Sequence, residues 1–164
     1  MDARRESEPR TRVARKSERE TVVTRTFDAP ARLVFEAWSR PELFKKWWVP
    51  RSMGMTLRSC ELDVRTGGKY RLVFGDDPAN PVAFFGTYLE VVPNKRIVWT
   101  NEESGDAGSV STLTLEDRDG KTLLVMSELY PTKEALDAAG TGAQEATYET
   151  FGQLDELLAE LSAR

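Results

Sequence analysis

Residues 141–162, "TGAQEATYETFGQLDELLAELS", are predicted to form one long amphipathic helix. Its apolar positions recur at helical spacing and form a single stripe, whereas glutamates occupy the opposite side. The stripe consists of Ala143, Thr147, Phe151, Leu154, Leu158 and Leu161, with Leu157 beside it. Such a stripe must pack against a large apolar surface, and the rest of the chain offers one only as a sheet.

The sheet is predicted from a pattern that alternates with a period of two between Met55 and Tyr130. Gly67-Gly68 marks a turn between the first two strands. Short turns separate six consecutive strands, which favours an antiparallel meander. A further strand, rich in β-branched residues, is predicted at 20–27 and brings the number of strands to about seven. The six are "LRSCELDV", "GGKYRLVF", "VAFFGTYLEVV", "KRIVWTN", "SVSTLTLE" and "TLLVMSELY".

Two short helices are predicted between the first strand and the meander. Asp28 is placed to cap the first helix, and Pro30 fits its first turn. A second helix is predicted to extend to about Lys46. This order predicts an α+β fold in which a curved sheet grips the long C-terminal helix. Because one helix does not fill such a sheet, we expect a cavity between the two layers.

The chain contains no histidine, which excludes a Ser-His-Asp triad, a Cys-His pair and histidine metal ligands. With Cys60 as the single cysteine, no structural zinc site and no intramolecular disulfide are expected. We therefore expect no metal and no cofactor, and the composition argues against an enzyme. The lone cysteine, the absence of an apolar membrane span and the absence of a secretory signal predict a cytoplasmic protein.

Residues 1–19 differ in charge from the remainder of the chain. They contain seven Arg or Lys and four Asp or Glu, a net charge of +3, within a protein whose total is −4. We expect a basic, disordered arm at 1–19 and a single domain at 20–164. Because the arm has no aromatic residue to stack on bases, nucleic-acid binding is not expected.

Charged residues predict which side chains of the strands point into the grip. Because Lys69 and Arg71 are expected to point to solvent, Tyr70 and Phe74 should point inward. An outward Arg96 likewise places Trp99 inside. Glu90 outside implies that Phe85, Thr87 and Leu89 point inward. With the helices and the last strand included, the candidate ligand-binding residues are Trp38, Trp48, Tyr70, Phe74, Phe85, Trp99, Met126, Tyr130, Tyr148 and Phe151.

The strand at 122–130 has two possible phases. One buries Leu123, Val125, Ser127 and Leu129, and buries no charge. The other buries Leu124, Met126, Glu128 and Tyr130, and would place a carboxyl group with a raised pKa in an apolar cavity. The sequence leaves both phases open. Glu128 is the candidate catalytic residue if the second phase holds.

Trp47 and Trp48 are adjacent and cannot share one face of a helix or strand. Trp47 continues the apolar stripe of Leu43 and Phe44, so it is predicted to pack in the core. Trp48 is then predicted either to project towards the mouth of the cavity or simply to cap the core.

Several of these segments together resemble the SRPBCC superfamily, and specifically its branch of homologues of the activator of heat-shock ATPase. The similarity is carried by "FDAPARLVFEAWSRPELFKKWWVP", "CELDVRTGGKYRLVF", "GTYLEVVPNKRIVWT" and the "LDELL" near the C-terminus. START-like lipid-transfer and birch-pollen-allergen proteins are more distant relatives. The resemblance implies the helix-grip fold and a cavity for a hydrophobic or amphipathic small molecule, and it carries over no catalytic motif.

Three functions are compatible with these expectations. The first, which we favour, is non-catalytic binding of a small hydrophobic molecule by a carrier, sensor or stress-related protein. The second is a cyclase or hydrolase that uses Glu128, Tyr70 or Tyr130 as acid-base groups. The third is a co-chaperone-like module that contacts a chaperone or regulator and has a filled interior. Either a monomer or a homodimer is expected.

Overall fold

The computed structural model describes residues 11–54, 57–75, 79, 82–102, 108–139 and 142–163, without the side chains of residue 139 and of 142–145. The strands are β1 Arg12–Arg15, β2 Glu20–Phe27, β3 Leu57–Leu62, β4 Lys69–Phe74, β5 Val82–Val92, β6 Arg96–Thr100, β7 Val110–Arg118 and β8 Lys121–Leu129. The helices are α1 Ala31–Ser39, α2 Pro41–Phe44, α3 Lys133–Ala139 and α4 Gly142–Ser162, with a 3₁₀ turn at Arg51–Met53.

The strands form one antiparallel sheet in the order β1-β2-β8-β7-β6-β5-β4-β3. Strands β3 to β8 are the predicted meander, and β2 joins it beside β8. The α+β class, the two short N-terminal helices and the long C-terminal helix are therefore confirmed. At the start of α1 the predicted cap is wrong, because Pro30 occupies the N-cap position and no side chain caps the helix.

Within the residues that the structure describes, the sheet has eight strands rather than about seven, because β1 pairs with β2 at its edge. This strand lies within the segment that we assigned to a disordered arm, so that assignment is wrong for the described residues 11–19. The short sequence "RVAR" has too little apolar pattern to predict a strand. Buried Arg25 ties this edge to the helix, since its guanidinium bonds Thr11 Oγ1 (2.8 Å) and pairs with Asp155 (3.2 Å). Residues 1–10 lie outside the described residues.

The core lies where α4 crosses the sheet. Phe151, Leu154 and Leu158 of the predicted stripe are almost fully buried, and so are Leu113 and Leu124 on the sheet. The Phe27 and Phe151 rings meet edge to face at 5.6 Å. Burial of large apolar side chains of this kind stabilises by about 1.5–3 kcal/mol each. The stripe read from the sequence is thus the face that attaches the helix to the sheet.

The predicted inward phase of β5 is wrong. Phe85 and Leu89 are 38% and 49% exposed, whereas Tyr88 is 6% exposed. The pairing of β5 with β6 shifts register between Tyr88 and Glu90, which is the sign of a β-bulge. A bulge places two successive residues on the same side of the strand. The outward position of Glu90 therefore does not set the phase of residues before the bulge.

Gly86 lies on the inner side of β5, where a side chain would collide with the neighbouring strand. An added Cβ would lie 2.0 Å from the carbonyl oxygen of Thr100 and 2.9 Å from the Tyr70 ring. We predict that Gly86→Ala lowers the free energy of unfolding by about 1–3 kcal/mol, because backbone must move. Urea denaturation measures this change.

Gly152→Ala is the matched control, since an added Cβ in the middle of α4 meets nothing within 4 Å. It should be neutral or stabilise the protein by about 0.5–1 kcal/mol through helix propensity. Equal stability of Gly86→Ala and the wild type would contradict the observed register of β5.

Candidate ligand-binding cavity

A cavity of about 380 Å³ lies between the inner face of the sheet and α4. All four tryptophans of the chain line it, and its wall is otherwise largely aromatic and aliphatic. The aromatic lining residues are Trp38, Phe44, Trp47, Trp48, Tyr70, Phe74, Phe84, Tyr88, Trp99 and Phe151. Met53 lines the cavity and is 54% exposed, so the cavity reaches the protein surface beside it.

Seven of the ten candidate ligand-binding residues line this cavity: Trp38, Trp48, Tyr70, Phe74, Trp99, Met126 and Phe151. The structure brings them together from α1, the link after α2, the three strands β4, β6 and β8, and α4. Ligand binding by these residues stays a prediction.

Three of the candidates lie elsewhere. Phe85 faces outward for the reason given above, and Tyr148 is 43% exposed on the outer side of α4. The neighbouring α4 residues Thr147 and Thr150 line the cavity instead of Tyr148. Tyr130 does not line the cavity but forms a hydrogen bond with Glu128, which does.

Sequence reasoning missed several lining residues. Phe84 and Tyr88 were missed because the bulge reverses the phase of β5. Ser111 was missed because we considered only apolar residues of β7. The alternation on either side of Leu113 does place Ser111 inward, so a signal existed for this residue.

The two adjacent tryptophans serve different surfaces. Trp47 is 1% exposed, and its indole nitrogen donates a hydrogen bond to the Ala37 carbonyl oxygen (2.9 Å). It therefore packs in the core, as predicted. Trp48 is half-buried and lines the cavity, with its ring stacked on Phe44 at 5.6 Å and edge-on to Phe84 at 5.8 Å.

Residues 47–53, which we call the mouth segment, are held against α4 by one buried side chain. Gln153 donates from its amide nitrogen to the carbonyl oxygens of Trp47 (2.9 Å) and Val49 (3.0 Å). Its amide oxygen accepts from the backbone nitrogen of Arg51 (2.9 Å). A single glutamine thus satisfies three backbone groups of a segment that has little regular structure.

A carboxylate of α4 also holds the mouth segment. Glu149 accepts hydrogen bonds from the hydroxyl (2.5 Å) and the backbone nitrogen (2.9 Å) of Ser52. These bonds, the hydroxyl first, lower the pKa of Glu149. Glu156 also pairs with Arg51 at 2.9 Å, but both side chains are exposed and this contact adds little.

The last strand adopts the phase that turns Glu128 inward. Leu124 is fully buried, and Met126 and Glu128 line the cavity. The Ser109 hydroxyl donates to Glu128 Oε2 at 2.9 Å. The alternative phase, which buries no charge, is therefore wrong. The structure compensates this carboxylate with hydroxyl groups, which the sequence pattern alone does not reveal.

Further hydrogen bonds order the polar groups near Glu128. The Asn101 amide nitrogen donates to the hydroxyl oxygens of Ser109 (3.0 Å) and Ser111 (3.1 Å). The Tyr70 hydroxyl donates to the Thr100 carbonyl oxygen at 2.8 Å. One end of an otherwise apolar cavity is thus polar.

Two tyrosines near the cavity have pKa values raised well above the ordinary value. For Tyr88 the main cause is burial, followed by the charges of Cys60 and Asp63. For Tyr130 burial again comes first, followed by the negative charge of Glu128 and the hydrogen bond to it. Both side chains therefore hold their protons at neutral pH, and neither is suited to act as a general base there.

Two further properties concern only the part of the chain that the structure describes. In that part, no three Asp, Glu or Cys side chains come together as a metal site would require. Likewise, no helix there has the length and apolar character needed to cross a membrane.

The curved antiparallel sheet, the long helix across it and the cavity between them define a helix-grip protein of the SRPBCC class. A family profile described as "Activator of Hsp90 ATPase homolog 1-like protein" matches residues 28–159. The chain belongs to this family. The comparison with curated proteins gives no match.

Solved structures of bacterial proteins share the fold over nearly the whole chain. A Rhodobacter sphaeroides protein is 26% identical with a TM-score of 0.82, covering 92% of this chain and 99% of its own. A Nitrosomonas europaea protein is 27% identical with a TM-score of 0.79, covering 92% and 100%. A Mycobacterium smegmatis protein, 22% identical with a TM-score of 0.76 and covering 92% and 98%, shares the fold.

We predict that Gln153→Ala lowers the free energy of unfolding by about 1–3 kcal/mol, because it removes the partner of three backbone groups. Glu156→Gln, which weakens only an exposed ion pair to the same segment, should cost under about 1 kcal/mol. Urea denaturation of both variants checks the difference. Similar losses in the two variants would mean that Gln153 does not hold the mouth segment.

The raised tyrosine pKa values predict a loss of stability in alkaline solution. An unfolded tyrosine ionises near about pH 10, whereas the folded state keeps Tyr88 and Tyr130 protonated. The contribution of these two tyrosines to the free energy of unfolding is therefore fully present below about pH 10 and is lost as the pH rises above that value. Between about pH 8 and about pH 11, Tyr88→Phe and Tyr130→Phe should lose less stability than the wild type.

Urea denaturation at each pH measures these losses, with Tyr148→Phe on the exposed side of α4 as the control. The control should show the wild-type dependence on pH. Identical pH dependence in all four proteins would contradict the burial of the two tyrosines.

Proposed function

We propose that the protein binds a small hydrophobic or amphipathic molecule in this cavity without chemically changing it. The observation that carries the proposal is the unfilled space of about 380 Å³, walled by all four tryptophans. Ligand cavities in proteins typically measure about 300–1,000 Å³ and combine apolar walls with a few polar groups. The cavity has this composition, with Asn101, Ser111 and Glu128 as polar groups.

The unfilled space itself supports a binding role. Protein interiors are normally close-packed, and side chains that border a void lose favourable contacts. A cavity of this size therefore costs stability unless a ligand fills it. The mouth segment offers a way in, because Met53 and Trp48 lie between the cavity and the surface.

Ligand binding accounts for the cavity better than the two other functions do. A co-chaperone-like module would contact a chaperone or regulator through its outer surface, and that role gives no account of the open space inside. An enzyme that uses Tyr130 as a base is disfavoured by the raised pKa of that side chain. The free Cys60 supports the cytoplasm as the proposed location.

The experiment is a titration monitored by tryptophan fluorescence, with aromatic, polyketide-like and fatty-acid compounds as probes. We expect a saturable change, because every tryptophan borders the cavity. Trp48→Ala should weaken binding at least about tenfold, since large aromatic side chains dominate such contacts. Circular dichroism establishes that the variant is folded.

Tyr148→Ala is the matched control, because it removes an exposed aromatic ring of α4 that does not line the cavity. It should bind as the wild type does. No saturable response from any probe would contradict the proposal and would direct attention to a protein partner.

A further inference from the structure

Building on the proposed function, we infer that the ligand is an amphipathic amine, whose ammonium group binds Glu128 while its apolar part fills the aromatic cavity. The inference rests on the position of Glu128, on its partners and on the aromatic ring that faces the same space. If the cavity binds no small molecule, this inference fails with the proposed function.

Strand pairing places Glu128 in a row of inward residues that crosses the sheet. Glu128 on β8 is opposite Ser111 on β7, and Ser111 is opposite Trp99 on β6. All three line the cavity. Because neighbouring strands are about 4.8 Å apart, the backbones of Glu128 and Trp99 are separated by roughly 10 Å.

Ser111 stands between the two larger side chains and is small. A group of the ligand that sits above Ser111 therefore has a carboxylate on one side and an indole ring on the other. Ser111 Oγ is already engaged by the Asn101 amide nitrogen (3.1 Å), which fixes the floor of this space. We call the space between Glu128 and Trp99 the polar end of the cavity.

The partners of Glu128 are neutral. The hydroxyl groups of Ser109 and Tyr130 donate hydrogen bonds to its carboxylate. Within the described residues, no Lys or Arg forms an ion pair with it. The guanidinium of Arg19, two residues from Glu128 in the strand pairing, instead donates to the Tyr130 carbonyl oxygen at 3.0 Å.

This arrangement favours a cation over the other head groups that an amphipathic ligand could carry. A carboxylate without a cationic partner attracts an ammonium group and repels an anion, and the surrounding apolar walls strengthen both effects. The Trp99 ring adds a favourable cation–π contact when the charge lies within about 6 Å of its centre. A neutral alcohol can donate one hydrogen bond but gains neither electrostatic contribution.

The test compares three probes with the same apolar part: phenylbutylamine, phenylbutanol and phenylbutanoate. Isothermal titration calorimetry on the full chain measures each dissociation constant at neutral pH. We expect the amine to bind at least about tenfold more tightly than the alcohol, which is about 1.4 kcal/mol, and the anion to bind most weakly. Glu128→Gln should remove the preference for the amine and leave alcohol binding nearly unchanged.

Two further variants make the result specific. Trp99→Leu should weaken binding of the amine more than that of the alcohol, because only the amine uses the cation–π contact. Glu61→Gln removes an exposed carboxylate of β3 on the other face of the sheet and should keep the full preference for the amine.

The outcomes separate the two proposals. Binding of the alcohol or the anion with no preference for the amine would overturn this inference and leave the proposed function standing. A preference for the amine that persists in Glu128→Gln would also overturn it. If none of the three probes binds to the wild type, this inference fails, and the fluorescence titration with the wider panel of compounds decides the proposed function separately.

Discussion

The packing of α4 across the sheet is the constraint on which the other features of this protein depend. Phe151, Leu154 and Leu158 attach the helix to the sheet, and the same helix carries Gln153, which holds the mouth segment. Thr147, one helical turn before Phe151, contributes to the cavity wall. The helix therefore fixes the core, the wall of the cavity and its mouth together, so a shift of the helix would alter all three.

Much of the fold could be predicted because local patterns agree with the global arrangement. Regular strands such as β4 keep strict alternation, so Lys69 and Arg71 fix the inward positions of Tyr70 and Phe74. The prediction failed in β5, where a bulge near Leu89 interrupts the alternation. A bulge arises from pairing with another strand, and nothing in the residues of β5 itself reveals it.

The polar end of the cavity was harder to predict for a related reason. Both phases of β8 bury four residues, and the phase with Glu128 outside carries no desolvation cost. The observed phase is stabilised by groups distant in sequence, since Ser109 donates to Glu128. The Asn101 amide then orders Ser109 and Ser111. Sequence patterns identify apolar faces well, whereas a compensated polar group within such a face depends on tertiary contacts.

The same contacts bear on the proposed binding role of Glu128, because its hydrogen-bond partners within the described residues are hydroxyl groups. The Ser109 hydroxyl donates to Glu128 Oε2 at 2.9 Å, while burial, followed by the negative charge of Glu128 and the hydrogen bond to it, raises the pKa of Tyr130. Hydroxyl donors are uncharged and leave the net charge of a carboxylate in place, whereas an arginine partner would neutralise it. In the proposed complex, this carboxylate at the polar end of the cavity meets a complementary charge on the ligand.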